Sequence, residues 1–166
     1  RKRLEVFVNR KKEIEELLAA IDVHSNTLVL GLRGYGKSTL ASKVAEICAS
    51  KNTLVGYIDC QRVITPMDLL NELKKDLSLI HVEINVPQVD NARDSIENLF
   101  SLCEKMQIKA LFIDEFTSLL RKFGRFSPFK DSGGVRSLAE FLRSMIEDSK
   151  ITIIALDTSI KSVYDF

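Results

Sequence analysis

The sequence has no Cys-x-x-Cys pair, no apolar run near the ~20 residues needed to cross a bilayer, and no marked excess of either charge. Its three cysteines, Cys48, Cys60 and Cys103, are widely spaced and have no neighbouring histidine at zinc-ligand spacing. That excludes a disulfide framework or zinc site and points to a reducing, cytoplasmic setting. Cys48 continues the helical stripe of Leu40, Val44 and Ile47, and Cys103 that of Ile96, Leu99 and Phe100, so both are expected in the core rather than as reactive thiols. His24 and His81 lack spaced partners for metal binding or nucleophilic catalysis. The opening "RKRLEVFV" lacks the apolar stretch of a signal peptide, so a soluble protein with no membrane partner is expected. With 24 Lys and Arg against 23 Asp and Glu, a wholly cationic nucleic-acid binder is excluded, and any basic surface must be local. There is no internal repeat and no low-complexity segment.

What is present is enough for one core: 166 residues, 45% hydrophobic and 28% charged. Helical and strand patterns alternate, the signature of a parallel sheet covered by helices. Asn9 reads as the N-cap of a helix with Ile14, Leu17, Leu18 and Ile21 as its apolar stripe. "NTLVLG" predicts a first strand, and a helix follows from Lys37 to Ser50. "TLVGYID" predicts a second strand. Thr65, Pro66 and Asp68 then supply N-cap, first-turn proline and N-terminal acid to a helix that buries Leu69, Leu70, Leu73 and Leu77. The stretch "IHVEINVPQVD" alternates apolar and polar residues but contains Pro87, which allows a loop or a short edge strand. A helix over about 92–106, a central strand "KALFIDEF", a short helix, a loop "GRFSPFKDSGG", a helix with Leu138, Phe141, Leu142 and Met145 on one side, and a central strand "KITIIALD" complete the chain.

The chemistry lies in "GLRGYGKST": Gly31, Leu32, Arg33, Gly34, Tyr35, Gly36, Lys37, Ser38 and Thr39. Between a strand and a helix, glycines at this spacing let backbone N–H groups converge on phosphate, with the positive end of the helix behind them. Lys37 would reach the β- and γ-phosphates of a nucleotide, and Ser38 would ligate magnesium. "LFIDEF" ends its strand in Asp114, a second magnesium ligand at the carboxyl edge of the sheet. Glu115 beside it is placed to orient and deprotonate a water for attack on the γ-phosphate. The spacing also allows the fourth strand to insert between the first and third, which would bring Asp157, Thr158 and Ser159 to the same edge as candidate phosphate sensors, or as ordinary turn residues closing a strand.

With "FVNRKKEIEELL", "LVLGLRGYGKSTLA", "LFIDEF" and "ITIIALDTS" in order, nearly the whole chain resembles the archaeal ATPase family in the AAA+/STAND group of P-loop NTPases, a family related to replication-initiator ATPases. The resemblance implies an α/β fold, a three-layer αβα sandwich of the ASCE type around a parallel sheet, with ATP or ADP and Mg2+ as ligands. It puts the segment holding Val8 and Arg10 beside the adenine, makes Gly31 to Ser38 the Walker A motif and Asp114 with Glu115 the Walker B motif, and gives the end of the fourth strand the role of sensor 1. Family members often carry Gly-Ser-Ser where this chain has Asp157, Thr158 and Ser159, so both Asp157 and Thr158 stand as sensor candidates. The resemblance also implies that residues 1–166 are the N-terminal part of an ATPase domain. A fifth strand, helical lid, sensor 2 and C-terminal domain would follow, and the isolated segment would bind weakly and turn over slowly.

Three functions follow from this reading. The first is ATP hydrolysis that drives a conformational change in attached domains; the second is a STAND-type switch in which bound nucleotide sets assembly, with a homo-oligomer in the full-length protein. The third is DNA binding through the segment 121–136, where Arg121, Lys122, Arg125, Lys130 and Arg136 are interleaved with Phe123, Phe126 and Phe129. For that segment a solvated loop with its phenylalanines packed on the domain is the alternative.

Overall fold

A computed structural model describes residues 2–31 and 36–158; the side chains of residues 2–9 and of Lys37 lie outside that description. Among these residues four strands form one parallel sheet: β1 (Thr27–Leu30), β2 (Leu54–Asp59), β3 (Ile108–Asp114) and β4 (Thr152–Asp157). Their order is β1-β4-β3-β2, so β4 does insert between β1 and β3. Parallel neighbours need crossover connections. Among the described residues, six α-helices supply or flank these: α1 (Lys2–Asp22), α2 (Lys37–Ser50), α3 (Pro66–Ser78), α4 (Ala92–Lys105), α5 (Phe116–Phe123) and α6 (Val135–Asp148).

The sheet divides the core in two because alternate residues of a strand face opposite sides. On one face Val55, Ala110, Phe112, Ile154 and Leu156 pack against Leu17 and Ile21 of α1 and Leu40, Ala41 and Val44 of α2. On the other, Ile58, Leu111, Ile113, Ile153 and Ala155 meet α3, α4, α5 and α6. The four leucines expected on α3, Leu69, Leu70, Leu73 and Leu77, are all buried; each contributes about 1.5 to 3 kcal/mol relative to exposure. The helix starts where its residues dictate: Thr65 caps it, Pro66 opens it, and Asp68 accepts from the Thr65 N–H at 2.8 Å.

One expectation changes, and one open alternative is decided in favour of the loop. Helix α1 begins at Lys2, and Asn9 sits inside it rather than capping it, because an interior asparagine costs less than a turn of backbone hydrogen bonds contributes. Residues 82–90 form neither strand nor helix: Pro87 has no N–H to give a ladder, and the apolar members Ile84, Val86 and Val89 instead pack down on the core. Cys48 and Cys103 are buried, as expected, and so is Cys60; burial raises all three thiols, Cys103 to about 12. His24, given no role by its sequence context, joins the turn after α1 to the head of β4: its ring nitrogens lie 3.0 Å from Thr152 Oγ1 and from the Ser149 carbonyl oxygen. Among the described residues no helix is long and apolar enough to cross a membrane.

Candidate active site

At the carboxyl edge of the sheet lies a cleft of about 650 Å³, bordered by Gly36 and Ser38 at the start of α2, Tyr57 and Asp59 of β2, Glu72 and Asp76 of α3, Asp114 and Glu115 at the end of β3, and Thr158. Strand β1 turns out toward α2 at Gly31, whose φ of +80° only glycine adopts without strain. Leu32, Arg33, Gly34 and Tyr35 lie outside the described residues, as do the side chains of Lys37 and Val8. At the other end of the loop, Gly36 is buried under Arg10: the Arg10 Nη1 donates to the Gly36 carbonyl at 2.9 Å, and a Cβ on Gly36 would fall 1.3 Å from the same guanidinium. Arg10 is thus tied to the loop itself.

Among the described residues no side chain caps α2. Its first-turn N–H groups, with the positive end of the helix behind them, form a ready anion site beside Ser38. Ser38 and Thr39 are exposed. Asp114 is only 8% exposed. Its Oδ1 accepts the Glu115 backbone N–H at 2.9 Å, and its Oδ2 accepts the hydroxyl hydrogen of Tyr57. Glu115 takes a left-handed conformation, φ 55°, as the chain turns from β3 into α5. This conformation costs about 1 to 2 kcal/mol for a residue with a Cβ, and such strain concentrates at functional sites.

Residues Asp59, Glu72, Asp76, Asp114 and Glu115 make the described lining acidic, with Arg62 and Lys75 as its cations. Arg62 is paired with Asp59 at 3.5 Å. A polyphosphate fits such a lining only with further positive charge, from Lys37 and a divalent ion. The donors at hand, a serine hydroxyl and a carboxylate, are hard oxygens that suit magnesium and not a soft metal. Tyr57 was not singled out by the sequence, and the period-2 match of Tyr57 with Asp59 on one strand face was its only signal. Desolvation by burial, then the bond to Asp114, raises its phenol far above the ordinary value. Asp76 accepts the Tyr57 backbone N–H at 2.8 Å, and burial raises its carboxyl to about 6.

Candidate sensors Asp157 and Thr158 differ in direction. Thr158 borders the cleft. Asp157 follows Ile153 and Ala155 onto the opposite sheet face, fully buried, where its carboxylate accepts from Thr117 N at 2.7 Å, Thr117 Oγ1 at 3.2 Å and Thr158 N at 2.7 Å. Thr117 is in the first turn of α5, so Asp157 supplies from another strand the cap that the Glu115 side chain does not. Ser159 lies outside the described residues.

In the segment 121–136, Phe123 and Phe129 are buried, with Phe126 edge-on to Phe123 at 5.7 Å and Phe129 at 5.5 Å from Phe141. Of the two readings given for this segment, stacking rings or phenylalanines packed on the domain, the rings follow the second: they serve the core. Lys122 is likewise turned inward, its Nζ donating to the carbonyls of Cys60 and Gln61 at 2.9 and 3.1 Å. Arg121, Arg125, Lys130 and Arg136 remain exposed.

A family model described as an ATPase domain predominantly from Archaea matches residues 7–165. No curated protein matches the chain. Similar solved structures include a Walker-type ATPase of Pyrococcus abyssi (TM-score 0.62, 22% identity, 94% of this chain and 47% of that one). The ORC2 protein of Aeropyrum pernix, solved in ADPNP–ADP complexes, gives 0.59 at 16% identity over 95% of this chain and 42% of that one. Cdc6p of Pyrobaculum aerophilum gives 0.55 at 14% identity over 93% and 40%. At these identities the likeness establishes the fold alone, an α/β core around a parallel sheet ordered β1-β4-β3-β2, and the chain spans less than half the length of the structures it resembles.

Proposed function

This chain belongs to the family of ATPase domains found predominantly in Archaea, and from that premise we propose that it binds ATP with magnesium and hydrolyses it to drive a conformational change in attached domains or partners. One observation carries the reading: the start of α2, with Gly36 and Ser38, and the end of β3, with Asp114 and Glu115, border a single cleft. Magnesium, when bound, would neutralise phosphate charge; Ser38 and Asp114 are the residues that would hold it. Lys37 and the first-turn N–H groups of α2 would hold the phosphates. Glu115 would orient a water and take its proton.

Fluorescent-nucleotide binding and phosphate release test this in the intact protein. Lys37→Ala should abolish ATP binding, whereas Glu115→Gln should keep binding and lower turnover by ~10²-fold or more. Unchanged turnover in both variants would remove the proposal.

A nucleotide-held switch with slow hydrolysis uses the same residues. It differs in that the oligomeric state should change between ADP and ATP at far less than one turnover. DNA binding is favoured by one observation, the exposed cations Arg121, Arg125, Lys130 and Arg136, and would be electrostatic in character, with strong salt dependence. DNA affinity that is insensitive to neutralising Arg125 and Lys130 would exclude this segment.

A further inference from the structure

We infer that Tyr57 is a positioning residue for the magnesium-binding carboxylate Asp114, an inference that rests on the function proposed above. In the parallel pairing of β2 with β3, Tyr57 lies opposite Phe112 and Asp59 opposite Asp114. Registered partners share a face, so Tyr57, Phe112, Asp59 and Asp114 all stand on the side of the sheet that α2 covers, the side of Ser38. Tyr57 and Asp114 are diagonal neighbours on this face, too far apart for short side chains but within reach of an aromatic one leaning along the strand. A phenylalanine would span the same distance and bring no donor; the tyrosine brings a hydroxyl to Oδ2.

The carboxylate is thereby held at both oxygens, Oδ1 by the Glu115 N–H and Oδ2 by the Tyr57 hydroxyl. The first bond comes from the adjoining residue and follows whatever turn the chain makes. The second comes from the edge strand of the sheet and fixes the plane of the carboxylate relative to Ser38, across the cleft that both border. Tyr57 is itself anchored at its other end, where Asp76 of α3 accepts its backbone N–H. The same residue is therefore fastened to helices on both sides of the sheet: its ring packs among the residues of the α2 face, and its main chain bonds to α3. A side chain that merely filled the edge of the core would not need the hydroxyl bond to Asp114. Carboxylates that ligate metals depend on such partners for orientation, and losing one typically costs 10- to 100-fold in metal affinity.

Mn2+ serves as a paramagnetic probe of the site. Its binding to the intact protein is titrated by electron paramagnetic resonance with saturating ATP, for the natural protein and for Tyr57→Phe. Nucleotide affinity in EDTA and the metal-free unfolding midpoint are measured alongside. Tyr57→Phe keeps the ring and is expected to need about tenfold more Mn2+, with nucleotide affinity in EDTA and the unfolding midpoint close to those of the natural protein. An unchanged Mn2+ requirement in Tyr57→Phe, with the natural protein binding Mn2+ and ATP, would overturn this inference alone. A loss of nucleotide affinity in EDTA as large as the loss of Mn2+ affinity would also overturn it, as the mark of a general structural role. Failure of the natural protein to bind nucleotide at all would overturn the proposed function, and this inference with it.

Discussion

Asp157→Ala separates a structural carboxylate from a phosphate sensor. Asp157 is fully buried and accepts three hydrogen bonds, two from Thr117 and one from Thr158. Removing it leaves the Thr117 N–H without its partner in the first turn of α5, at a cost of about 1 to 3 kcal/mol. It also removes an anion from the positive end of that helix, for roughly 1 kcal/mol more. The sum, about 3 kcal/mol, is a large share of the ~5 to 15 kcal/mol by which a domain is stable. At an m-value of about 2 kcal/mol/M the urea midpoint should fall by roughly 1.5 M. Asp157→Asn keeps the shape and one acceptor and should lose less than half as much. Amide exchange should show the loss first in α5, at Thr117 and Ser118. A loss under about 1 kcal/mol for Asp157→Ala would refute the capping argument; a collapse of ATP turnover in Asp157→Asn without loss of stability would favour the sensor role.

Two other groups give distinct tests. Asp76 has its carboxyl raised from 3.8 to about 6, chiefly by desolvation, so between about pH 4 and pH 6 the folded state binds more protons than the unfolded state, and stability falls as pH rises through that window. A rise of that size corresponds to ~3 kcal/mol, which solvent screening of this half-buried group reduces to about 1 to 2 kcal/mol. Asp76→Asn should therefore be the more stable protein at pH 7 and flatten the decline, as urea midpoints across pH would show; an unchanged slope would count against it. Lys122→Met loses two bonds to main-chain carbonyls at the end of β2; it should cost about 1 kcal/mol in denaturant unfolding and leave any DNA affinity unchanged.

How much could be read from the chain depended on whether a feature was local. Helix α2 runs over the same residues, Lys37 to Ser50, that the sequence indicates, and the start of α3 is written in Thr65, Pro66 and Asp68. The insertion of β4 between β1 and β3 was legible from the spacing of the motifs. The bond from Tyr57 to Asp114 was not, because it joins residues on different strands through a diagonal that only the register reveals. The direction of Asp157 was hidden for another reason: in a strand buried on both faces, Ile153, Ile154, Ala155 and Leu156 are all apolar, so the alternation that assigns Asp157 to the α5 side leaves no mark on composition. The phenylalanines of the segment 121–136 looked available for stacking because the sequence does not show which way a loop folds back; Phe129 turns in to Phe141.

Helix α5 is short, yet it is fastened at both ends to strands other than the one it follows. Its first turn is held by the tip of β4 through Asp157, and its last turn holds the exit of β2 through Lys122. It therefore acts as a crossbar over three neighbouring strand ends, and Glu115 is the joint where it meets β3. Loops that merely share an edge can open one at a time. Strand ends braced by a common bar must loosen together, so the edge that carries Asp114 and Glu115 should behave as one cooperative unit.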